Sequence, residues 1–291
     1  MPTSCEASTY VKMKVLKNLS LALSISGFVI SSIARVFAIQ TNLEIVPVSD
    51  VVWEALNPAR GDQSPKAGTL WGDLRGTDAT GFLAKFVDGF SSPPHIHNVT
   101  YRAVVISGEI HNDDPLAEKM WMKAGSFWTQ PKGEAHITAA RGKSTIALVE
   151  IDEGPYLVKQ AQEAFDSEER PVNIDTSNIV WVAPTYLDRN EEGPMVSYLW
   201  GDPYGEEPSG SFVKLPENFL GYIHSVGSVF RVVIIRGSPK YLGDETVAIP
   251  PGSYFSSSGD IMHKIRSAPD RETVMYIRSN ESYRIIPSST D

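Results

Sequence analysis

Three histidines carry the chemistry that can be read from this chain. His95 and His97 stand two apart in PPHIHNVTY, and His136 follows a Pro-Lys-Gly turn in QPKGEAH. On a strand, residues i and i+2 point to the same face with Cα atoms about 6.5–7 Å apart. Two imidazoles so placed can converge on one ion at Zn–N distances of about 2.0–2.1 Å. Three protein ligands leave coordination positions open, as a catalytic ion requires. The alternative is a polar trio satisfied by hydrogen bonds, with no ion. Val99 and Tyr101 continue the same face.

The elements that must hold these residues are strands. The body consists of short apolar runs, GFLAKFV, YRAVVISGEI, STIALVEI, GSFVKL, FRVVIIRG and ETVMYIRS, broken by Gly, Pro, Asn and Asp. Close spacing with turn signals predicts an all-β fold. The chain is also internally repeated. Leu70–Gly108 set against Leu199–Gly237 gives 13 identities in 39 positions at a constant offset of 129. SDVVW, ending at Trp53, matches SNIVW, ending at Trp181. A period this long means two copies of one domain. The expected organisation is 46–153, a linker at 154–175 with a helix at Val158–Glu169, and 176–287.

These motifs resemble the cupin superfamily. Its first motif, G-x5-H-x-H-x3–4-E-x6-G, is matched by Gly89, His95, His97 and Gly108, with Tyr101 in place of the Glu. Its second, G-x5-P-x-G-x2-H-x3-N, is matched by Gly125, Pro131, Gly133 and His136, with Ala140 in place of the Asn. The resemblance spans two cupin domains and implies two tandem jelly-roll (double-stranded β-helix) barrels arising by duplication. It implies one divalent ion per chain, Fe, Mn, Zn or Ni, on His95, His97 and His136. Three-His cupins include dioxygenases that use Fe(II) and O2. Tyr101 is left with three roles: phenolate ligand, hydrogen-bond partner near the ion, or packed aromatic.

In the second copy His224 and His263 occupy the places of His95 and His136, whereas Val226 replaces His97 and Phe230 replaces Tyr101. Two histidines without a third ligand make a poor metal site, so this copy is expected to be structural. His111 is expected in an exposed loop, and Trp128 and Gln130 on one face near the site. Glu134 is expected to face solvent or orient a ligand. Arg102 and Arg231 should point away from the ion into structural ion pairs, and Trp71-Gly72-Asp73 and its copy should mark a strand-to-turn feature.

The remaining features bound location and partners. Lys12, Lys14 and Lys17 precede fifteen uncharged residues, Leu19–Ile33, and Arg35-Val36-Phe37-Ala38 follows. A positive head, a short apolar run and small residues describe an export signal, cut after Ala38 or Ala34. The expected location is therefore periplasmic or secreted, with no stable membrane insertion after cleavage. Residues 1–38 carry a net +3 of the chain's −9, so the remainder carries −12 and lacks Cys5. So acidic a body argues against nucleic-acid partners. The partner expected is a small molecule, and a homodimer is left open. The function expected is a metal-dependent enzyme, dioxygenase-like or driven by Lewis-acid chemistry. The alternatives are a small-molecule binding or sensing cupin with a structural metal, and a metal-free structural barrel pair.

Overall fold

The computed structural model describes residues 43–187 and 192–288. Residues 1–38, expected to be an export signal, lie outside these residues. The strands that matter are β1 (Leu43–Val46), β2 (Lys66–Trp71), β3 (Thr80–Phe86), β4 (His95–His97), β5 (Tyr101–Asp113), β6 (Phe127–Gln130), β7 (Ile137–Ile151), β8 (Val158–Gln160) and β9 (Val172–Ile174). They continue as β10 (Met195–Trp200), β11 (Ser209–Leu215), β12 (Leu220–Ser225), β13 (Phe230–Arg236), β14 (Tyr254–Ser257), β15 (Ile261–Arg266) and β16 (Thr273–Ser279).

Two large antiparallel sheets repeat one strand order. The first runs β9-β6-β5-β7-β3-β2 and ends on the short strand Trp53–Ala55; the second runs β1-β14-β13-β16-β11-β10. Sequence-equivalent strands hold equivalent places, and the fold is an all-β pair of jelly-roll barrels. The edge strands are exchanged. β1 precedes the first copy but pairs with β14 of the second, while β9 precedes the second copy and pairs with β6 of the first. The exchange is reciprocal down to single bonds: the Val48 amide donates to Ser253 Oγ, and the Thr176 amide to Ser126 Oγ, both at 3.0 Å.

The unbroken apolar runs on β5 and β13 have a physical reason. Sheets buried on both faces lose polar alternation. Ala103 and Val105 face the interior of the first barrel with Phe82 and Trp128. Val232 and Ile234 face the interior of the second with Phe230 and Phe255. Val104 and Ile106 meet Val233 and Ile235 in a third core between the sheets, with Phe127, Leu148, Tyr254 and Tyr276. The repeated tryptophans belong to this interface. Trp71 and Trp200 lie over Gly81 and Gly210, where no Cβ would fit. The Arg231 guanidinium stands 5.1 Å from the Trp71 ring centroid, and that of Arg102 3.7 Å from Trp200. The repeated Trp-Gly-Asp is thus an interface element as well as a turn. Arg102 also pairs with Asp152 at 2.9 Å.

The helix expected over Val158–Glu169 is not formed. Val158–Gln160 is instead strand β8, antiparallel to β4 with Val158 opposite His97 and Gln160 opposite His95, and Ala161–Glu163 is a single 3-10 turn. All three β8 residues are exposed. The open backbone edge of β4 needs partners, and that demand outweighs helix propensity. His111 also departs from expectation. It is buried within β5, which continues past Gly108 to Asp113, and its ring centroid is 6.2 Å from that of Trp121.

Candidate metal centre

The strand register brings the three histidines together. His95 and His97 share one face of β4, and His95 exchanges both backbone hydrogen bonds with His136 at 3.0 Å. Gly133 turns the chain into this bridge with φ 77°, a left-handed conformation that L side chains avoid. Its amide donates to the His97 carbonyl at 2.8 Å. Ring centroids are 5.0 Å apart for His95 and His97, 4.3 Å for His95 and His136, and 5.3 Å for His97 and His136. One ligating nitrogen from each lies within 4.8 Å of the others.

The Nδ1 atoms show what this cluster is built to do. His95 Nδ1 lies 3.0 Å from the Pro93 carbonyl, His97 Nδ1 3.1 Å from that of Leu157, and His136 Nδ1 3.2 Å from that of Glu134. A carbonyl only accepts, so each Nδ1 carries the proton and each Nε2 keeps its lone pair. This is the arrangement of metal-bound imidazoles, whose second nitrogen donates to a fixed acceptor. His136 Nε2 is buried with no hydrogen-bond partner among the described residues. A buried nitrogen lone pair without a partner is costly, and a divalent cation would satisfy it. The residues present therefore fit the ion. Burial, then the mutual repulsion of the imidazolium forms, holds His97 well below its ordinary range; burial and His95 push His136 down to about 3. Neutral imidazole is the ligand form.

Tyr101 lies at the wall of this site, its ring edge-on to His97 at 5.2 Å. Its hydroxyl donates to Asn112 Oδ1 at 2.9 Å, and burial pushes its pKa up to about 12. Asn112 Oδ1 also accepts from Thr138 Oγ1 at 2.7 Å, while Asn112 Nδ2 donates to Gln130 Oε1 at 2.8 Å. Gln130 Nε2 in turn donates to the Glu134 carbonyl at 3.3 Å. A polar chain therefore runs from Tyr101 to the carbonyl that holds His136. The backbone of Glu134, not its carboxylate, orients His136. Trp128 lines the cavity above the site.

Tyr101→Phe should keep the ring packing and leave Asn112 Oδ1 its bond from Thr138. We expect a stability loss of no more than about 1 kcal/mol. A role near the ion would then appear as an altered Co(II) spectrum; an unchanged spectrum would leave Tyr101 as a packing residue.

Two contributors were not foreseen. Tyr156 stacks on His97 at 4.4 Å, with its hydroxyl 3.3 Å from His97 Nε2, and Leu157 supplies the carbonyl for His97. Both lie in the segment read as linker. The counterpart of Tyr156 in the second barrel is Tyr283, which packs on Phe230 as Tyr156 packs on Tyr101, out of the repeat's register.

The second barrel engages each of its histidines with other side chains. His224 Nε2 pairs with Asp260 Oδ1 at 2.6 Å. His263 is fully buried and stacked on Phe230, with Nδ1 3.0 Å from Tyr241 Oη and Nε2 2.9 Å from Ser257 Oγ. Val226 is exposed. Both His263 nitrogens are thus committed to hydroxyls.

Burial, with a smaller contribution from the charge on His224, pushes His263 down from 6.5 to about 4. Native His263 stays neutral where the unfolded imidazole takes up a proton. Its contribution to stability is complete above about pH 6.5 and is lost as the pH falls towards 4, on the order of 3 kcal/mol. Denaturant midpoints of chelated protein at pH 7 and pH 4.5 should therefore diverge less in His263→Gln than in the parent. Equal divergence would remove His263 as the acid-sensitive group.

The sequence profile of a domain of unknown function, DUF4437, matches residues 44–286. No curated protein matches the chain by sequence. Solved structures match by fold. A candidate dioxygenase from Nostoc punctiforme superposes with TM-score 0.63 and 14% identity over 86% of this chain and 88% of that one. A salicylate 1,2-dioxygenase variant from Pseudoaminobacter salicylatoxidans, in complex with gentisate, gives 0.54 and 10% over 86% of both chains. An oxalate decarboxylase from Lactobacillus farciminis, in complex with formate, gives 0.51 and 11% over 85% and 88%. These neighbours are cupin jelly-roll proteins.

Proposed function

The chain belongs to the family of the domain of unknown function DUF4437, and on that premise we propose that its first barrel is a mononuclear metal centre acting on a small organic molecule, dioxygenase-like or through other Lewis-acid chemistry. The observation that carries this reading is the set of three imidazoles whose Nδ1 atoms are tied to carbonyls and whose ligating nitrogens lie within 4.8 Å of one another. Dioxygenases and an oxalate decarboxylase among the fold neighbours support it by analogy of fold.

His95, His97 and His136 would hold the ion, which supplies Lewis acidity and, when redox-active, electron transfer. The chain's own residues do the rest. The carbonyls of Pro93, Leu157 and Glu134 fix the imidazole planes. Phe82, Trp128 and Val149 keep the cavity apolar, which strengthens electrostatic interactions inside it. Tyr101 and Thr138 converge on Asn112 and brace the wall. The Tyr156 hydroxyl, beside His97 Nε2, is placed to donate a hydrogen bond to a substrate oxygen. An export signal over residues 1–38, as their charge and apolar pattern suggest, would place this action outside the cytoplasm.

Elemental analysis of the purified protein, then anaerobic Fe(II) loading and an oxygen-uptake screen over small organic acids and phenols, tests the reading. Stoichiometric metal with substrate-dependent uptake is expected for oxygenase chemistry. Tight Zn with no exchangeable position would instead mark a structural ion in a binding protein.

A further inference from the structure

We propose that the cavity over the three histidines takes a small monocarboxylate with an aromatic or apolar body, and that Arg60 holds the carboxylate. This rests on the first barrel being the reactive site and narrows its substrate.

The cavity measures about 470 Å³, within the range of small-molecule sites. Phe82, Phe86, Phe90 and Trp128 make its walls apolar and aromatic. The chain carries 35 acidic residues, yet none of the 19 residues lining this cavity is Asp or Glu, and Arg60 is the one Lys or Arg among them. A cationic ligand would meet no counter-charge here. Arg60 forms no ion pair with any described carboxylate. Its guanidinium stands 5.3 Å from the Phe90 ring centroid, and Arg60 lines the same cavity as His95. It projects from the 3-10 turn Pro58–Gln63, capped where Asn57 Oδ1 accepts from the Ala59 amide at 3.1 Å. A guanidinium is permanently charged, and its planar fork matches a carboxylate. In apolar surroundings that pairing is strengthened, and a ligand with an apolar body fills the aromatic walls behind it.

The test uses phenylacetate and 2-phenylethanol, which share a ring and differ in the carboxylate. Each is titrated calorimetrically into the full chain, metal-free and Zn-loaded. The acid is expected to bind about 10-fold tighter or more in both forms, the ratio a charge-assisted bond supplies. Arg60→Gln should bring the acid down to the affinity of the alcohol, and Arg60→Lys should restore part of the difference; unchanged melting temperatures verify the fold of both variants. A preference for the acid that survives Arg60→Gln but vanishes with the metal would assign carboxylate recognition to the ion and overturn the proposal. So would equal affinities in the parent protein, or no saturable binding of either compound. An Arg60-dependent preference in protein that takes up no Zn on loading would uphold the carboxylate site while rejecting the metal reading.

Discussion

Purified protein is expected to carry one divalent ion per chain, and His136→Ala to lose it. The variant removes one of three imidazole ligands and leaves two, which bind poorly. Even substitutions of partners behind such ligands cost about 10–100-fold in affinity, so loss of a ligand should cost about 100-fold or more. A bound ion also stabilises the fold by mass action, about 2.7 kcal/mol at a hundred times its Kd. Added Zn should therefore raise the melting temperature of the chelated parent and leave that of His136→Ala unmoved. His95→Ala and His97→Ala should behave alike. His224→Ala is the control, because its imidazole is engaged by Asp260 in the other barrel. Elemental analysis and metal-dependent melting check each variant. Equal metal loss from His224→Ala would place the ion in the wrong barrel.

The site was legible to the degree that local geometry decides it. His95 and His97 share a face because a strand alternates, and His136 follows a turn whose glycine needs a positive φ. The offset of 129 carried the equivalence of the two sheets, not their strand order. What remained hidden depends on pairings distant in sequence. Leu157 and Tyr156 reach His97 only because β8 fills the edge of β4, and nothing local in VKQAQEAF announces a strand. Asn112 and Gln130 are 18 residues apart and meet only because β5 sets Tyr101 opposite Gln130 on β6 and Asn112 opposite Thr138 on β7. His111 was misplaced because the repeat shows where the two copies agree, at Gly108 and Gly237, and β5 outruns that match. SDVVW and SNIVW mark only the repeat, and the edge strands before them, three or four residues long, carry too little pattern to name a partner or to announce the exchange.

Arg278→Met is expected to destabilise the protein by about 3–5 kcal/mol, through the face the two barrels share. Glu150 and Arg278 occupy equivalent positions in the two copies, on β7 and β16, and meet between the sheets. Arg278 Nη1 lies 3.3 Å from Glu150 Oε1, and both side chains are at most 3% exposed. Arg278 Nη2 also bonds Asp152 Oδ1 at 2.8 Å. Burial alone would raise the Asp152 carboxyl, but Arg102 and Arg278 together hold it below its ordinary range. Glu150 Oε1 accepts from the Tyr276 hydroxyl at 2.7 Å, and that hydroxyl accepts from Trp200 Nε1 at 2.8 Å. Removing the guanidinium strands a carboxylate in a dry interface, which is what makes breaking a buried pair costly. The pair itself is imperfect: among the described residues Glu150 Oε2, Arg278 Nε and Arg278 Nη1 lack hydrogen-bond partners, so the Nη1–Oε1 contact is an ion pair without a well-aligned hydrogen bond. Desolvating two charges with incomplete compensation leaves little net gain over a neutral pair. Glu150→Gln combined with Arg278→Met keeps an acceptor for Tyr276 and removes the stranded charge, so the double variant should regain most of the lost stability. Urea denaturation of the parent, both single variants and the double variant measures the coupling directly. Additive losses would show that Arg278 stabilises the barrel interface through Asp152 and the Trp200 ring, and not through Glu150.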